Sequence, residues 1–533
     1  MARKCITAAQ AAELVGQNDT VVIHGSGGVL VPDTILKAVE ARYLETQAPG
    51  NLKLVVPIIP GTRAEMNGMN RFAHKGMLRE IMGTCFDPIR HPELIRMIND
   101  GEIEGYEASI GTIVHLCRAI GSNQPGHFTR AGLGSYLDPR DQGGRMNDRS
   151  DNLPVRVEEV AGQEYLFYPS FPIDVAIIRG STADEAGNIS FEDDPNTLGA
   201  VEYALAARAS GGKVIVQVKR LARSGSLDPH KVRVPAALVD HIVVEPFQQQ
   251  ISGFKQDPLA GVDPFLNGQL RMPLDGLPPI PQTPMRMVLR RAALEMKRGQ
   301  SINLGQGMPT NLPRVALEEG VLDDLSFNNE HGAFGGLTAE GYVGNFLPAV
   351  NVEAIMDSSF TFNYYDGGCL DMTYLGFGEV DQYGNINVNR FGKLWNGSGG
   401  FTNIVEKTPQ VVFCGTLTAG GLQTEFVDGE LKIVVEGRNK RFVPKVSHIC
   451  FNGSRAHAKG QKALYITERA VFELGPNGIE LIEVAPGIDI EMQIKPFVDF
   501  DLQVSEHLKL MPMDVFKDVP LNLSHRFEKT EAA

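Results

Sequence analysis

Asp371-Met372-Thr373-Tyr374, leading on to Asp381-Gln382-Tyr383-Gly384-Asn385-Ile386, has a near-copy earlier in the same chain. Asp174-Val175-Ala176-Ile177 leads in the same way to Asp184-Glu185-Ala186-Gly187-Asn188-Ile189, at a constant displacement of 197 positions (371 − 174, 381 − 184, 384 − 187). The same displacement carries Lys213-Val214-Ile215-Val216 onto Gln410-Val411-Val412-Phe413. Short apolar runs that break into Asp, Gly and Asn read as buried strands followed by tight turns. Their recurrence at fixed spacing reads as one structural unit used twice. Further upstream, Gly305-Gln306-Gly307-Met308-Pro309 mirrors the Gly25-Ser26-Gly27-Gly28 loop at a displacement of 280 (305 − 25). The difference, 280 − 197 = 83 residues, is extra material in the first copy. It coincides with the stretch from about 85 to 165, where periodicity is weakest and a loop-rich elaboration is expected.

Each copy alternates strand and helix signals. Thr20-Val21-Val22-Ile23-His24 is a strand, Gly25 to Gly28 a loop, and Pro32 to Glu40 a helix with Pro near its start. Asn51 to Val56, Ile173 to Arg179, Lys213 to Val218 and His241 to Val244 are further strands, with a helix expected over Leu198 to Ala209. The pattern predicts an α/β protein of two related open α/β domains in tandem, the first carrying an insertion. Between Pro246 and Pro284 lie eight prolines in 39 residues, which breaks regular structure and marks a connection. The expected division is 1–270, a Pro-rich linker 271–285, and 286–533, with a basic amphipathic helix starting at Met285.

A chain of 533 residues with 43% hydrophobic and 21% charged residues is a multidomain globular protein. A net charge of −14 argues against nucleic acid as a partner, although glycine loops and helix N-termini can still hold phosphates. The six cysteines form no CxxC pair and are too sparse for a disulfide scaffold, which points to a reducing, cytoplasmic setting. No apolar run is long enough for a membrane span, and Gln10, Glu13 and Gln17 interrupt any secretory signal. No metal site is expected, because the twelve histidines are scattered and HExxH is absent. Neither glycine loop fits the dinucleotide fingerprint: Leu30 and Thr310 stand where the third glycine belongs.

The copies differ at the end of their second strand. In the first, Leu54-Val55-Val56 runs into Pro57-Ile58-Ile59-Pro60-Gly61; in the second, Leu325-Ser326-Phe327 runs into Asn328-Asn329-Glu330-His331-Gly332-Ala333-Phe334-Gly335-Gly336. Glu330 is therefore either an acid in a glycine-rich surface turn or a carboxylate aimed into a crevice between domains.

Taken together, Gly305 to Pro309, Asn329 to Gly332, Gly367-Gly368-Cys369-Leu370-Asp371, Glu379 to Asn385, Gly397-Ser398-Gly399-Gly400-Phe401, Tyr465 to Phe472 and Glu483 to Asp489 resemble the family I coenzyme A-transferases. The likeness is strongest to the single-chain acetate/propionate type and spans nearly the whole chain. It implies that Glu330 is a nucleophile in a ping-pong transfer of CoA from a short-chain acyl-CoA to a free carboxylate. The intermediates would be a glutamyl anhydride and a glutamyl-CoA thioester. It further suggests Gly399 and Gly400 as oxyanion-hole donors, Gly305, Gln306, Gly307, Met308 and Asn403 as contacts to CoA, and Gly27 and Gly28 as a wall of the acyl pocket. CoA is a co-substrate and no bound cofactor is expected; a homodimer or homotetramer is. Asn329 stands where the family often has Ser, and His331 and Cys369 also depart from the common residues. Acyl-CoA hydrolysis through the same Glu, or a silent acyl-CoA-binding module, are the alternatives.

Overall fold

The computed structural model describes residues 4–253, 261–339 and 348–531. The first half builds a seven-stranded parallel sheet from β1 (Thr20–Ile23), β2 (Leu52–Val56), β3 (Leu78–Gly83), β4 (Glu104–Glu107), β5 (Val175–Arg179), β6 (Lys213–Val218) and β7 (His241–Val244). Their order across the sheet is β7-β6-β5-β1-β2-β3-β4. The second half builds a ten-stranded sheet from β8 (Ser301–Leu304), β9 (Ser326–Asn328), β10 (Ala333–Phe334), β11 (Ala354–Ile355), β12 (Met372–Gly376), β13 (Gln410–Cys414), β14 (Lys462–Ile466), β15 (Ala470–Gly475), β16 (Gly478–Val484) and β17 (Gln503–Leu510). Here the order is β11-β10-β9-β8-β12-β13-β14-β15-β16-β17.

The two sheets share one topology. The run β7-β6-β5-β1-β2 matches β14-β13-β12-β8-β9 strand for strand, with β1 flanked by β2 and β5 in the same way that β8 is flanked by β9 and β12. Every residue of β1 and β5 is buried, as expected for parallel strands covered on both faces. The turn after β5 and the turn after β12 are also the same object twice. Asp184 Oδ1 accepts from the N–H groups of Gly187 and Asn188 at 2.8 and 2.9 Å, and Asp381 Oδ1 from those of Tyr383 and Asn385 at 3.0 and 3.1 Å. In each case the Asn amide closes the ring on Oδ2, and the glycine takes a positive φ, +106° at Gly187 and +75° at Gly384.

The stretch expected to be loop-rich is more ordered than its sequence suggests. It contributes β4, the helix α2 (Ile110–Gly121, following α1 at Asp33–Thr46) and a three-stranded antiparallel sheet of residues 126–129, 156–160 and 163–169. These elements are short, and β4 is Glu-Gly-Tyr-Glu, so no hydrophobic period betrays them. The expected helix at 198–209 is α3 (Ala200–Ala209).

Residues 261–283 form no helix or strand, and 254–260 lie outside the described residues. α4 (Pro284–Ala293) then starts with Pro at its first position and the Thr283 side chain accepting from the Arg286 N–H. α4 thus begins inside the segment 271–285 expected as the linker, and the division into 1–270, 271–285 and 286–533 stands as a proposal. Two further helices of the second half are α5 (Ser358–Asp366) and α6 (Phe401–Lys407).

The halves are fused through a shared core. α2 packs on α5, and one apolar cluster runs from Ile113 and Tyr136 of the first half to Phe362, Phe401 and Phe413 of the second. A Cβ on Gly111 would sit 2.6 Å from the Phe362 ring, so the helices can approach this closely only with glycine there. No helix among the described residues is long and apolar enough to cross a membrane.

Candidate active site

The site lies beyond the carboxyl ends of β8, β9 and β12, where the strand order of the second sheet reverses, the usual place for ligands in open α/β sheets. β9 ends at Asn328. The next turn is fixed by Asn329, whose Oδ1 accepts from the His331 N–H at 3.1 Å and whose carbonyl accepts from Gly332 at 3.0 Å. Gly332 has φ +92°, and a Cβ there would meet the Met356 carbonyl oxygen at 2.0 Å. This tight turn lifts Glu330 off the sheet and aims its carboxylate at a cavity of about 420 Å³.

The walls come from both halves. Gly305, Gln306 and Gly307 follow β8, Leu375, Gly376, Phe377 and Gly378 end β12, and Phe391, Phe401 and Ile404 add apolar surface. The first half supplies Cys85, Asp87 and Arg90 from the segment after β3. Arg90 is ion-paired to Asp87 at 3.1 Å. Cys85 has a φ of +63°, an uncommon conformation for a residue with a side chain. Its thiol stays protonated, through burial and through the neighbouring Glu330 carboxylate.

Burial pushes the Glu330 carboxyl up to about 7, and the one hydrogen bond working against that shift is the Gly400 N–H, 3.0 Å from Oε2. An unperturbed Glu is fully charged at neutral pH; here burial places the group near the midpoint of its titration. The cause is desolvation, since Cys85 and Tyr365, its titratable neighbours, are themselves held protonated.

The structure brings together Glu330, Gly305, Gln306, Gly307, Gly399 and Gly400. Gly399 and Glu330 are so close that a Cβ on Gly399 would lie 3.5 Å from Oε1. The two glycines differ, however: the Gly399 N–H donates to Thr84 Oγ1 at 3.0 Å, and only that of Gly400 points at the carboxylate. Met308 opens a short 3₁₀ turn just behind Gly307 and does not line the cavity. Asn403 is fully buried, with its Nδ2 donating to Asp366 Oδ1 at 2.9 Å, and faces α2 rather than the cavity. Gly27 and Gly28 also stay out of the cavity wall. The Gly27 backbone pairs with Ile59 and Gly61, at 3.2 and 2.7 Å, and the Gly28 carbonyl accepts from Ser252 at 2.8 Å. The neighbour of these glycines that does approach the site is Ser26, whose Oγ lies 3.2 Å from His331 Nε2.

Sequence reasoning missed Thr84, Cys85, Asp87 and Arg90. They sit in the segment read as irregular; the available signal was Leu78–Gly83, a strand whose carboxyl end carries them. Among the described residues no cluster of His, Cys, Asp and Glu is arranged to hold a metal ion.

Comparison with known proteins shows the family. The coenzyme A transferase family model matches residues 6–245. Over 517 residues the chain is 36% identical to acetate CoA-transferase YdiF of Escherichia coli K12, covering 97% of this chain and 96% of that one. Over 524 residues it is 36% identical to caffeate CoA-transferase of Acetobacterium woodii, covering 97% and 98%. The crystal structure of the YdiF acyl-CoA transferase from E. coli O157:H7, as a thioester complex with CoA, superposes with a TM-score of 0.89 at 36% identity over 97% of both chains. The chain belongs to the coenzyme A transferase family. Its reaction moves CoA between an acyl thioester and a free carboxylate.

Proposed function

We propose that Glu330 carries CoA covalently between a short-chain acyl donor and a carboxylate acceptor. The supporting observation is its position: a carboxylate raised on a rigid turn into a cavity walled by both halves, with the Gly400 N–H on one oxygen. In its ionised form Glu330 attacks the thioester carbonyl, the C–S bond breaks, and an acyl-glutamyl anhydride and CoA thiolate form. The thiolate then attacks the glutamyl carbonyl, the acyl group leaves as a carboxylate, and CoA remains as a thioester on Glu330. A second carboxylate takes it off by the same steps in reverse.

Negative charge builds on the carbonyl oxygen at each addition. The Gly400 N–H, already aimed at the glutamyl group, is the donor placed to meet it, and one such donor is worth about 3–4 kcal/mol. Gly305, Gln306 and Gly307 form the rim against which the pantetheine arm lies, with Met308 behind them. Binding energy collected from that distant part of CoA lowers the barrier at the reacting carbonyl. Leu375, Phe377, Phe391 and Ile404 suit an uncharged acyl chain. The named relatives take acetate and caffeate, and one methylene changes selectivity by only about 1–3 kcal/mol, so we commit to the class and not to one acyl group.

The test is direct. Incubation with acyl-CoA followed by borohydride reduction converts a glutamyl thioester to an alcohol, which peptide mass spectrometry locates. Modification at Glu330 is expected; modification elsewhere, or none, overturns the reading. Equal release of free CoA with and without acetate would instead make the protein a hydrolase. The reading extends to a homodimer or homotetramer, checked by light scattering on the eluted protein. It extends also to a reducing, cytoplasmic setting, supported by six cysteines that are all free thiols.

A further inference from the structure

The loop that carries Gly400 belongs to the second half, yet the first half holds it residue by residue. Gly397 has φ +79°, and a Cβ there would meet the Cys85 nitrogen at 2.2 Å. The Ser398 hydroxyl is 2.8 Å from the Tyr136 hydroxyl. Gly399 donates to Thr84 Oγ1, and its carbonyl accepts from the Ile110 N–H at 3.2 Å, at the start of α2. Only then does Gly400 reach Glu330. Just upstream, Trp395 is buried in the apolar cluster on the far face of the first sheet, with its Nε1–H donating to Asn99 Oδ1 at 2.9 Å.

One strut of this cradle is built from a group the reaction does not use. Glu107, the last residue of β4, is 1% exposed, and its Oε2 accepts from Asn389 Nδ2 at 2.5 Å. Asn389 is fully buried, and its Oδ1 accepts from the Gly397 N–H at 3.1 Å. A carboxyl group buried in the first half thus reaches, through one amide, the first residue of the loop that ends on Glu330. Burying a carboxyl group is costly unless it is partnered. Burial pushes Glu107 up to about 8, against the pull of Asn389 and the Tyr136 hydroxyl, so the group is largely neutral near pH 7. Its task is to accept from Asn389, which a carboxyl oxygen does in either protonation state.

We infer that Glu107 is a positioning residue for CoA transfer: through Asn389 it sets the register of Gly397–Gly400 and so aims the Gly400 N–H at the glutamyl carbonyl. The inference rests on Glu330 being the reacting group. It predicts a catalytic effect without a binding effect, because neither Glu107 nor Asn389 lines the cavity.

The experiment compares Glu107→Ala, Glu107→Gln and Asn389→Ala in the full chain, each checked by circular dichroism. Glu107→Ala should lower kcat by about tenfold or more, the scale of one lost orienting contact, with KM for acyl-CoA within about twofold. Glu107→Gln keeps an oxygen for Asn389 and should recover kcat to within about threefold. Asn389→Ala should reproduce Glu107→Ala, and the double variant should be no slower than either, because the two act as one unit. Trp395, the sole tryptophan, reports the loop directly: acrylamide should quench it more readily in Glu107→Ala and Asn389→Ala than in Glu107→Gln. A folded Glu107→Ala with unchanged kcat, a Glu107→Gln as slow as it, or additive losses in the double variant would overturn the assignment. If Glu107→Ala does not fold, Asn389→Ala and Glu107→Gln decide the matter by the same criteria. Borohydride labelling of the unmodified protein keeps the two claims apart. Loss of the Glu330 label sinks the nucleophile; a Glu330 label with an indifferent Glu107 sinks only this inference.

Discussion

The ends of β1 and β2 and the ends of β8 and β9 are the same place in two copies of one sheet, and only the second is open. In the first copy the glycine loop after β1 is zipped to the loop after β2: Gly27 N–H to the Ile59 carbonyl, Gly61 N–H to the Gly27 carbonyl. Two prolines, Pro57 and Pro60, stiffen that loop, and Gly25 lets Pro60 close over it. In the second copy the loop after β8 stands apart, with Gln306 and Gly307 exposed, and the loop after β9 turns sharply to raise Glu330 into the gap. A repeated scaffold therefore yields one filled strand end and one usable one. The filled copy is not idle: its β3 and β4, which the second sheet replaces with the short antiparallel β10 and β11, deliver Thr84, Cys85 and Glu107 to the other copy's site.

The largest effects should come from destroying what makes the open end different. Glu330→Ala and Glu330→Gln should reduce CoA exchange to background while circular dichroism stays unchanged. Glu330→Asp, one methylene shorter, should keep about 10⁻² of the activity, since an error of about 1 Å at a reacting atom costs on that order. Activity of either of the first two variants within tenfold of the parent would remove Glu330 from the mechanism. Gly400→Ala comes next. Its Cβ would lie 2.5 Å from Glu330 Oε2 and 2.9 Å from the Phe362 ring, so the carboxylate must move. A loss of about 10²-fold in kcat is expected, with the melting temperature little changed.

A smaller effect follows from the raised Glu330 carboxyl. In the mechanism we propose the nucleophile is the ionised form, so kcat/KM should fall by about tenfold per pH unit below about 7, the value to which burial lifts the group. A flat profile down to pH 5 would show a carboxyl with an ordinary value. The stability consequence has the opposite sense. A carboxyl whose folded value exceeds its unfolded value of about 4.3 binds its proton more tightly in the folded state, so its contribution to stability falls as pH rises between those values. Glu330→Gln should accordingly melt higher than the parent at pH 8, and the difference should shrink at pH 4.

Much of this is legible in the sequence alone. The constant displacement of Asp174 onto Asp371 announces the duplicated sheet, because a buried parallel strand followed by an Asp-x-x-Gly-Asn turn leaves a local mark. Glu330, Gly305 and Gly400 carry recognisable neighbours. What is not legible depends on contacts between distant segments. Asn403 sits in a motif beside Gly400, but a helix turns it toward Asp366 and α2, and no local pattern says which face a helical residue will present. Gly27 is suggested as a pocket wall by the family resemblance; its pairing with Ile59 and Gly61 is a tertiary fact. Cys85 and Glu107 lie at the ends of strands too short and too polar to announce themselves.

The smallest effects separate the two strand ends most sharply. Gly25 and Gly305 occupy matching positions, so the same substitution at each is a controlled comparison. At Gly25, φ is +125° and a Cβ would meet Pro60 Cβ at 2.9 Å and the Leu30 carbonyl oxygen at 3.0 Å. Neither the proline ring nor the backbone can give way, so Gly25→Ala should cost about 1–3 kcal/mol of stability. Its kcat and KM, measured well below the lowered melting temperature, should stay within about twofold of the parent, because no residue of that loop lines the cavity and only Ser26 approaches the site, through His331. At Gly305 the nearest atom is Leu375 Cδ2 at 2.7 Å, the tip of a side chain that can rotate, and that side chain lines the cavity. Gly305→Ala should leave the melting temperature nearly unchanged and raise KM for acyl-CoA several-fold. If the two variants exchanged their effects, with Gly25→Ala raising KM and Gly305→Ala lowering the melting temperature, the filled and open ends would have been assigned to the wrong copies.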